Sequence, residues 1–466
     1  MVQLPLTLDN GGREPLYQQL YDALVAQIRS GAVPAGTRLP GKRSLAQQLG
    51  VAVNTVDTAY QMLAAEGYLD SRQRSGFFVL EVADTVPAGA AAEAISPLPE
   101  PPRWRFDLST GGVDTALFPF RTWGRIQKEL LYAAPELLRH GNRQGDRNLR
   151  EAIADYLAAY RGVVCSPEQI VVGAGTEYLL GLAAGLLRGR TAAVEEPGYG
   201  RLRTILENNG VTCRGVAIDE SGLSVSALEE SGASLCCVTP SHHFPTAVTM
   251  PATRRSQLLR WAAAGAGRYI VEDDYDAEFR FDMRPLPSLQ GMAGQRGPVI
   301  YLCTFSKSLA PSIRIACMVL PPELLEGYRQ RYGSYSNTVS RFEQQTLCRF
   351  LAEGHFTRHL SRMRGVYKGR MERLAAALET ALPGVVLRGR HTGLHLLLTL
   401  PDGPGEGEMV RRAAAEGVGL QGLSAYYAEG AASCPDNTVI VGYASLPDRD
   451  IPPLAEALGR AWGPNS

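Results

Sequence analysis

The chain is interrupted once, and that interruption limits what it can fold into. Residues 82 to 105 are rich in alanine and proline, among them Pro97, Pro99, Pro101 and Pro102, and show no sustained periodicity. Well-patterned sequence lies on either side, so the stretch reads as a linker whose prolines hold part of it stiff and extended. Two modules result, over 1–81 and 106–466. Of 466 residues, 45% are hydrophobic and 20% charged, which supplies packed cores for both and excludes a disordered or fibrous chain. Forty-seven basic residues balance forty-seven acidic ones. No global field therefore draws the protein to a polyanion, and any such contact is local. The longest fully apolar stretch near a helix, Tyr178 to Leu187, is about half of the ~20 residues needed to cross a bilayer. Met1 to Gly12 lacks the pattern of a secretory signal, so a cytoplasmic location without a membrane partner is expected. The eight cysteines are scattered, which fits neither a metal pair nor a disulfide framework, and no metal is expected.

In the first module, Leu16, Leu20, Leu24 and Ile28 form the apolar stripe of a helix that Gly31 and Pro34 stop. A second helix is predicted from Ser44 to Leu49, ending at Gly50, and a third from Val53 to Glu66, ending at Gly67. Tyr68 to Leu80 then holds two strand-like pieces around Arg72, Arg74 and Gly76, which reads as a hairpin. This order is that of a winged helix-turn-helix. The segment from Leu39 to Val79 resembles the GntR-type regulator domain, which implies binding to double-stranded DNA. Residues 1–80 hold seven basic against six acidic residues, a net charge of +1. Phosphate contacts therefore fall to a cluster: Arg38, Lys42 and Arg43, with Arg72, Arg74 and Gly76 in the wing. Asn54, Thr55 and Thr58, near the start of the third helix, are expected to enter the major groove. Many GntR-type recognition helices have arginines where this chain has Val53 and Asp57. Weaker half-site contacts of that kind favour two modules acting together.

The second module alternates helical patterns with short β-rich runs at 169–172, 191–195, 235–239, 269–272 and 299–304. This is an α/β chain, and in such sheets ligands gather at the carboxyl ends of strands. After the first run, Gly173-Ala174-Gly175-Thr176 opens a helix, which suits a phosphate but is as often a plain connection. After the second comes Tyr199, an aromatic face that serves a flat ligand or simply the core. The fourth runs into Asp273-Asp274-Tyr275-Asp276, either a solvated loop or a charged site; no histidine or cysteine close in sequence supports a metal there. The fifth decides the matter. Lys307 directly follows a buried apolar strand, where desolvation lowers an ammonium pKa and makes an imine-forming amine. Arg314 and the hydroxyls of Thr304 and Ser306 lie within seven residues of it and could hold a phosphate.

Asp273-x-Tyr275 followed by TFSKSLAPSIR at 304–314 resembles fold-type I pyridoxal 5′-phosphate aminotransferases over nearly all of 106–466. That resemblance implies a mainly parallel large part over about 120–340 and a small α+β part over about 341–466. With the first module and the HFPT segment at 243–246, the whole chain is similar to the MocR subfamily of GntR-type regulators. The likeness implies that Lys307 carries the cofactor as a Schiff base and Asp273 holds the pyridine nitrogen. It further implies that Tyr275 donates to the ring's phenolic oxygen and Tyr199 stacks on the ring. Gly175, Thr176, Thr304, Ser306 and Arg314 would bind the phosphate. There are departures. Phe244 stands where aminotransferases commonly have asparagine, Ile440 where they carry the carboxylate-gripping arginine, and His140 where a tyrosine often reaches the neighbouring subunit. Arg201 is an alternative anchor for an effector or substrate. The reading is a homodimeric transcription regulator that senses pyridoxal phosphate or an amino compound; the alternative is a working aminotransferase.

Overall fold

The computed structural model describes residues 6–9, 11, 14–82, 100, 102–282, 286–428 and 434–463. The chain separates into two compact units, Met1–Pro101 and Pro102–Ser466. Most of the expected spacer, 83–99 and 101, lies outside the described residues.

In the first unit, α1 (Leu16–Arg29) buries Leu20, Leu24 and Ile28, the face its four-residue spacing marks out. α2 (Lys42–Leu49) starts two residues before the expected Ser44, because Gly41 is extended and hands directly into the helix. Lys42 and Arg43 therefore belong to the first turn. Gly50, in left-handed conformation, ends α2, and α3 (Val53–Ala65) follows with Val56, Ala59, Tyr60 and Leu63 buried. β1 (Leu69–Arg72) and β2 (Gly76–Val79) pair antiparallel as the wing. The buried Tyr60 hydroxyl donates to Pro40 O at 3.0 Å, satisfying a polar group that would otherwise cost stability in the core.

The second unit opens with β3 (Phe106–Asp107), α4 (Phe120–Ala133) and α5 (Arg147–Arg161). Its main sheet contains β4 (Ile170–Gly173), β5 (Thr191–Glu196), β6 (Thr212–Asp219), β7 (Gly222–Leu223), β8 (Leu235–Val238), β9 (Tyr269–Asp274), β10 (Val299–Thr304) and β11 (Ala316–Val319). The spatial order is β4-β11-β10-β9-β8-β5-β6-β7. The run from β10 through β9, β8 and β5 to β6 is parallel, while β11 and β7 pair antiparallel. β4, β8, β10 and β11 are buried at every residue. Packing on both faces is the reason: Val172, Tyr301 and Cys303 meet Leu149, Ile153 and Leu157 of α5 on one side. On the other, Val171, Ile300 and Leu302 meet Leu179 and Ala183 of α6 (Thr176–Leu186). Such strands read as continuous apolar runs.

The carboxyl-terminal part is a four-stranded antiparallel sheet of β12 (Val386–Arg388), β13 (His395–Thr399), β15 (Gln421–Gly422) and β16 (Thr438–Gly442), in the order β12-β13-β16-β15. β14 (Val418–Gly419) pairs in parallel with β3 and ties this part back to the start of the unit. The helices His355–Ala381 and Ile451–Trp462 supply the core beneath it. Among the described residues no helix is long and apolar enough to cross a membrane.

Candidate functional site

A cavity of about 600 Å³ lies at the carboxyl ends of the parallel strands and is lined by Thr176, Tyr199, Asp273, Tyr275, Thr304, Ser306, Lys307 and Arg314. The structure thus brings together residues that the sequence spreads over about 140 positions. Lys307, in the turn after β10, donates from Nζ to Thr110 O at 2.5 Å and to Gly111 O at 3.2 Å. Burial pushes its amine below the usual lysine value, and Asp276 opposes that shift.

The segment 273–276 is not a solvated loop: Asp274 and Asp276 are buried, and Asp273 and Tyr275 half-buried, around the end of β9. Asp274 is held by Arg161 Nε at 2.6 Å and Tyr301 Oη at 2.6 Å, and despite its burial these partners keep its carboxyl low. Asp273 has no such partner among the described residues. Its Oδ1 is buried without a hydrogen bond, and burial, then Asp274 and Asp276, push the carboxyl up to about 7. A buried acceptor left open in this way suits a cationic ring nitrogen, which would restore its charge.

At the other end of the cavity, Gly175 (φ 94°, ψ 164°) leads into α6. A side chain there would put Cβ 2.6 Å from Arg314 Nη2, so glycine lets the guanidinium close over this turn. Arg314 donates to Ala174 O at 3.0 Å, and Thr304 Oγ1 donates to Ser306 Oγ at 2.9 Å. Hydroxyls, a guanidinium and open backbone N–H groups at a helix start form an anion-binding set. Tyr199 stands at the rim, 39% exposed, edge-to-face with Phe244 at 6.1 Å.

Arg201 also lines the cavity, but its Nη1 donates to Glu177 Oε1 at 3.2 Å at an exposed position. Ile440 is buried in a small apolar cluster with Leu397 and Leu423. His140 is exposed.

Local spacing did not reveal several members of the site. No histidine is near 273–276 in sequence, yet His242 Nδ1 lies 2.8 Å from Asp276 Oδ2 and 3.1 Å from the Tyr275 hydroxyl. Glu195 accepts from the Thr239 hydroxyl at 2.8 Å and is pushed up by burial to about 8. His243, 3.5 Å away, is pushed down by burial to about 3. The alternation of the strands gave no sign of these pairings, because their partners are 34 and 48 residues apart.

In the first unit, Arg38, Arg43, Asn54, Thr58, Arg72 and Arg74 are exposed. Arg38 lies across Gly76, whose Cβ would come 3.4 Å from Arg38 Nε, and bridges Phe78 of the wing. Lys42 pairs with Asp57 of α3 and sits over the Phe77 ring at 5.1 Å. Arg72 pairs with Asp70 at 2.8 Å, and Thr58 Oγ1 donates to Asn54 O at 2.9 Å.

Residues 16–79 match the family model of bacterial regulatory proteins, gntR family, and residues 106–457 that of aminotransferase class I and II. The chain is 38% identical to the uncharacterized HTH-type transcriptional regulator YhdI of Bacillus subtilis, with 98% of each chain covered. It is 35% identical to the probable rhizopine catabolism regulatory protein MocR of Rhizobium meliloti, over 95% of this chain and 92% of that one. The chain belongs to the MocR-type regulators of the gntR family. It is 34% identical to the pyridoxine biosynthesis regulator PdxR of Corynebacterium glutamicum, over 96% and 95% of the two chains. The aminotransferase part of this MocR-type chain superposes on Pyrococcus horikoshii kynurenine aminotransferase with a TM-score of 0.68 at 27% identity, covering 76% of this chain and 90% of that one. The protein is therefore an HTH-type transcription regulator with a fold-type I aminotransferase domain.

Proposed function

We propose that this regulator binds pyridoxal 5′-phosphate on Lys307 and couples occupancy of that site to its grip on DNA. One observation carries the reading: a desolvated amine, a buried carboxylate oxygen of Asp273 without a partner among the described residues, and a helix-opening turn closed over by Arg314 meet at one cavity. Bound there, the coenzyme supplies an aldehyde that condenses with a primary amine and a ring that withdraws electrons. Lys307 would hold it covalently, Asp273 would hold the ring nitrogen and Tyr275 the ring oxygen, and Tyr199 would cover a face. Gly175, Thr176, Thr304, Ser306 and Arg314 would hold the phosphate. A carboxylate-bearing effector would have to detach Arg201 from Glu177, since Ile440 offers no charge. This favours the coenzyme itself as the effector over an amino acid, and the likeness to PdxR, a regulator of pyridoxine biosynthesis, points the same way.

The domain division proposed is 1–81 for DNA, 82–105 as spacer and 106–466 for sensing. Phosphate contacts fall to Arg38, Arg43 and Arg74, and to Lys42 and Arg72, which are restrained by Asp57 and Asp70. Asn54, Thr55 and Thr58 face bases. Phe120, Leu131, Tyr132 and Leu138 are 63–79% exposed on and beside α4, an apolar surface that a homodimer would cover. Such a DNA-bound dimer works in the cytoplasm.

The test is absorbance and operator binding together. Wild-type protein with pyridoxal 5′-phosphate should gain a visible band that borohydride traps, and Lys307→Ala should lose both. Operator affinity measured with and without coenzyme should differ in the wild type and not in Lys307→Ala. An identical affinity in both states of the wild type refutes the sensing role, whatever the band does.

A further inference from the structure

We infer that His242 and Asp276 are positioning residues for Tyr275, turning its hydroxyl proton into the cavity toward the ring oxygen of the coenzyme. The inference rests on the coenzyme reading above and extends it to two side chains outside the set assigned there.

The geometry is that of two groups sharing one ring nitrogen. His242 is wholly buried, with Nδ1 2.8 Å from Asp276 Oδ2 and 3.1 Å from the Tyr275 hydroxyl. Nδ1 cannot both donate to a carboxylate and accept the hydroxyl's proton. A carboxylate only accepts, and its charge-assisted bond is about twice as strong as a neutral one. Nδ1 therefore bears the hydrogen, whether the ring is neutral or charged. Tyr275 meets a donor on that side, presents a lone pair to it, and sends its own proton the other way. Burial, with Asp276 next, also raises the Tyr275 pKa, so the hydroxyl keeps the proton it has to offer.

The imidazole is held in place by packing. Its Nε2 has no hydrogen-bond partner among the described residues, so the contacts at Nδ1 are the ones that orient it chemically. The ring of His395 packs against it, tilted by 38° with centroids 4.7 Å apart. At Gly393 (φ 78°) an added Cβ would come 1.8 Å from His242 Cε1; the ring occupies the space a side chain would need. Other charges face the same groups: Asp273, Asp274 and Glu195 toward Tyr275, His243 and His395 toward His242, and Lys307 and Arg280 toward Asp276. None of these has a hydrogen bond to the Tyr275 hydroxyl among the described residues; His242 does.

The consequence is measurable. A donor on the ring oxygen favours the coenzyme form in which that oxygen carries its full negative charge, so it lowers the pH at which the visible band changes. Full-length protein loaded with pyridoxal 5′-phosphate is titrated by absorbance as wild type, Tyr275→Phe, His242→Leu, His242→Asn and the double variant Tyr275→Phe/His242→Leu. Tyr275→Phe and His242→Leu should each raise the midpoint, by ~1 pH unit for the direct donor and about half that for the positioning residue. His242→Asn, whose amide nitrogen takes the place of Nδ1, should stay near wild type. The double variant should match Tyr275→Phe alone, since His242 acts only through Tyr275.

If leucine is not tolerated, His242→Gln places its amide at the Nε2 position and leaves the Nδ1 place without a donor, with the same upward shift expected. Additive shifts in the double variant, or an unchanged midpoint in His242→Leu or His242→Gln, would overturn the inference while leaving the coenzyme reading intact. A wild-type protein that gains no band at all sinks the coenzyme reading, and this one with it.

Discussion

Gly175→Ala separates backbone strain from ligand grip at one position. Gly175 adopts φ 94° and ψ 164°, a region reserved almost wholly for glycine, and forcing alanine into it costs about 1–3 kcal/mol of folding stability. The new Cβ would also sit 2.6 Å from Arg314 Nη2 and 2.8 Å from Cζ. Backbone on the glycine side cannot yield, so the guanidinium must swing away and lose its bond to Ala174 O. A displaced Arg314 no longer reaches the phosphate, and one lost charge-assisted hydrogen bond costs about 1.5–3 kcal/mol. At 1.4 kcal/mol per tenfold, that weakens coenzyme binding roughly 10- to 150-fold. The assay is titration of the variant with pyridoxal 5′-phosphate, followed by its visible band, beside urea denaturation of the coenzyme-free protein. Denaturation reads the strain; titration reads the grip. A dissociation constant within about threefold of wild type, in a variant that does show the loss of stability, would mean that Arg314 does not hold the phosphate.

Other outcomes follow from the same geometry. Asp57→Ala frees Lys42 from its partner on α3 and should steepen the salt dependence of operator binding by about one phosphate contact, whereas Arg43→Ala should flatten it by as much. Asn54→Ala should relax preference at particular bases without changing that slope; a uniform loss across sequences would contradict its placement in the groove. Arg161→Met strands the buried Asp274 carboxylate and should destabilise the protein by about 3–5 kcal/mol in urea melts; a loss below ~1 kcal/mol would show that the pair is not what holds this segment. Asp273 has a folded pKa near 7 in the coenzyme-free chain, above its unfolded value of about 4. The folded state therefore binds that proton more tightly, and its contribution to stability is lost as pH rises through about 4 to 7. Asp273→Asn, coenzyme-free, should accordingly melt at least about 2 °C above wild type at pH 8 and converge with it in acid, while its coenzyme band weakens.

Much of the fold was legible in the chain. The four-residue leucine stripe of α1, the glycines that end α2 and α3, and the hairpin around Gly76 are local features, and each stands where expected to within two residues. β4, β5, β8, β9 and β10 were equally visible: β4, β8 and β10 are almost wholly apolar because they are buried on both faces, and β5 and β9 carry a short apolar run ahead of their terminal carboxylates. β11 and β6 were not. β11, at 316–319, follows Arg314 so closely that it reads as the tail of the lysine segment, and only its antiparallel insertion between β10 and β4 makes it a strand. β6 has an exposed, mixed pattern because it lies toward the sheet edge, flanked on its outer side only by the two-residue β7, and buries too little of either face to select an apolar run.

The sequence by itself determined the order of the modules and the identity of the residues with chemistry to offer: Lys307 after an apolar strand, Asp273 and Tyr275 in a fixed spacing, arginines clustered around the helix-turn-helix. Those follow from periodicity and neighbourhood, which a linear chain records directly. Only the tertiary structure decided which charges are free and which are spent. Lys42 is answered by Asp57, Arg201 by Glu177 and Asp274 by Arg161, while Asp273 is left open and His242 is brought against Asp276 and Tyr275. A hydrogen bond depends on a separation of about 3 Å, and for residues 242 and 276 that separation is set by the packing of strands and helices, not by the residues that lie between them.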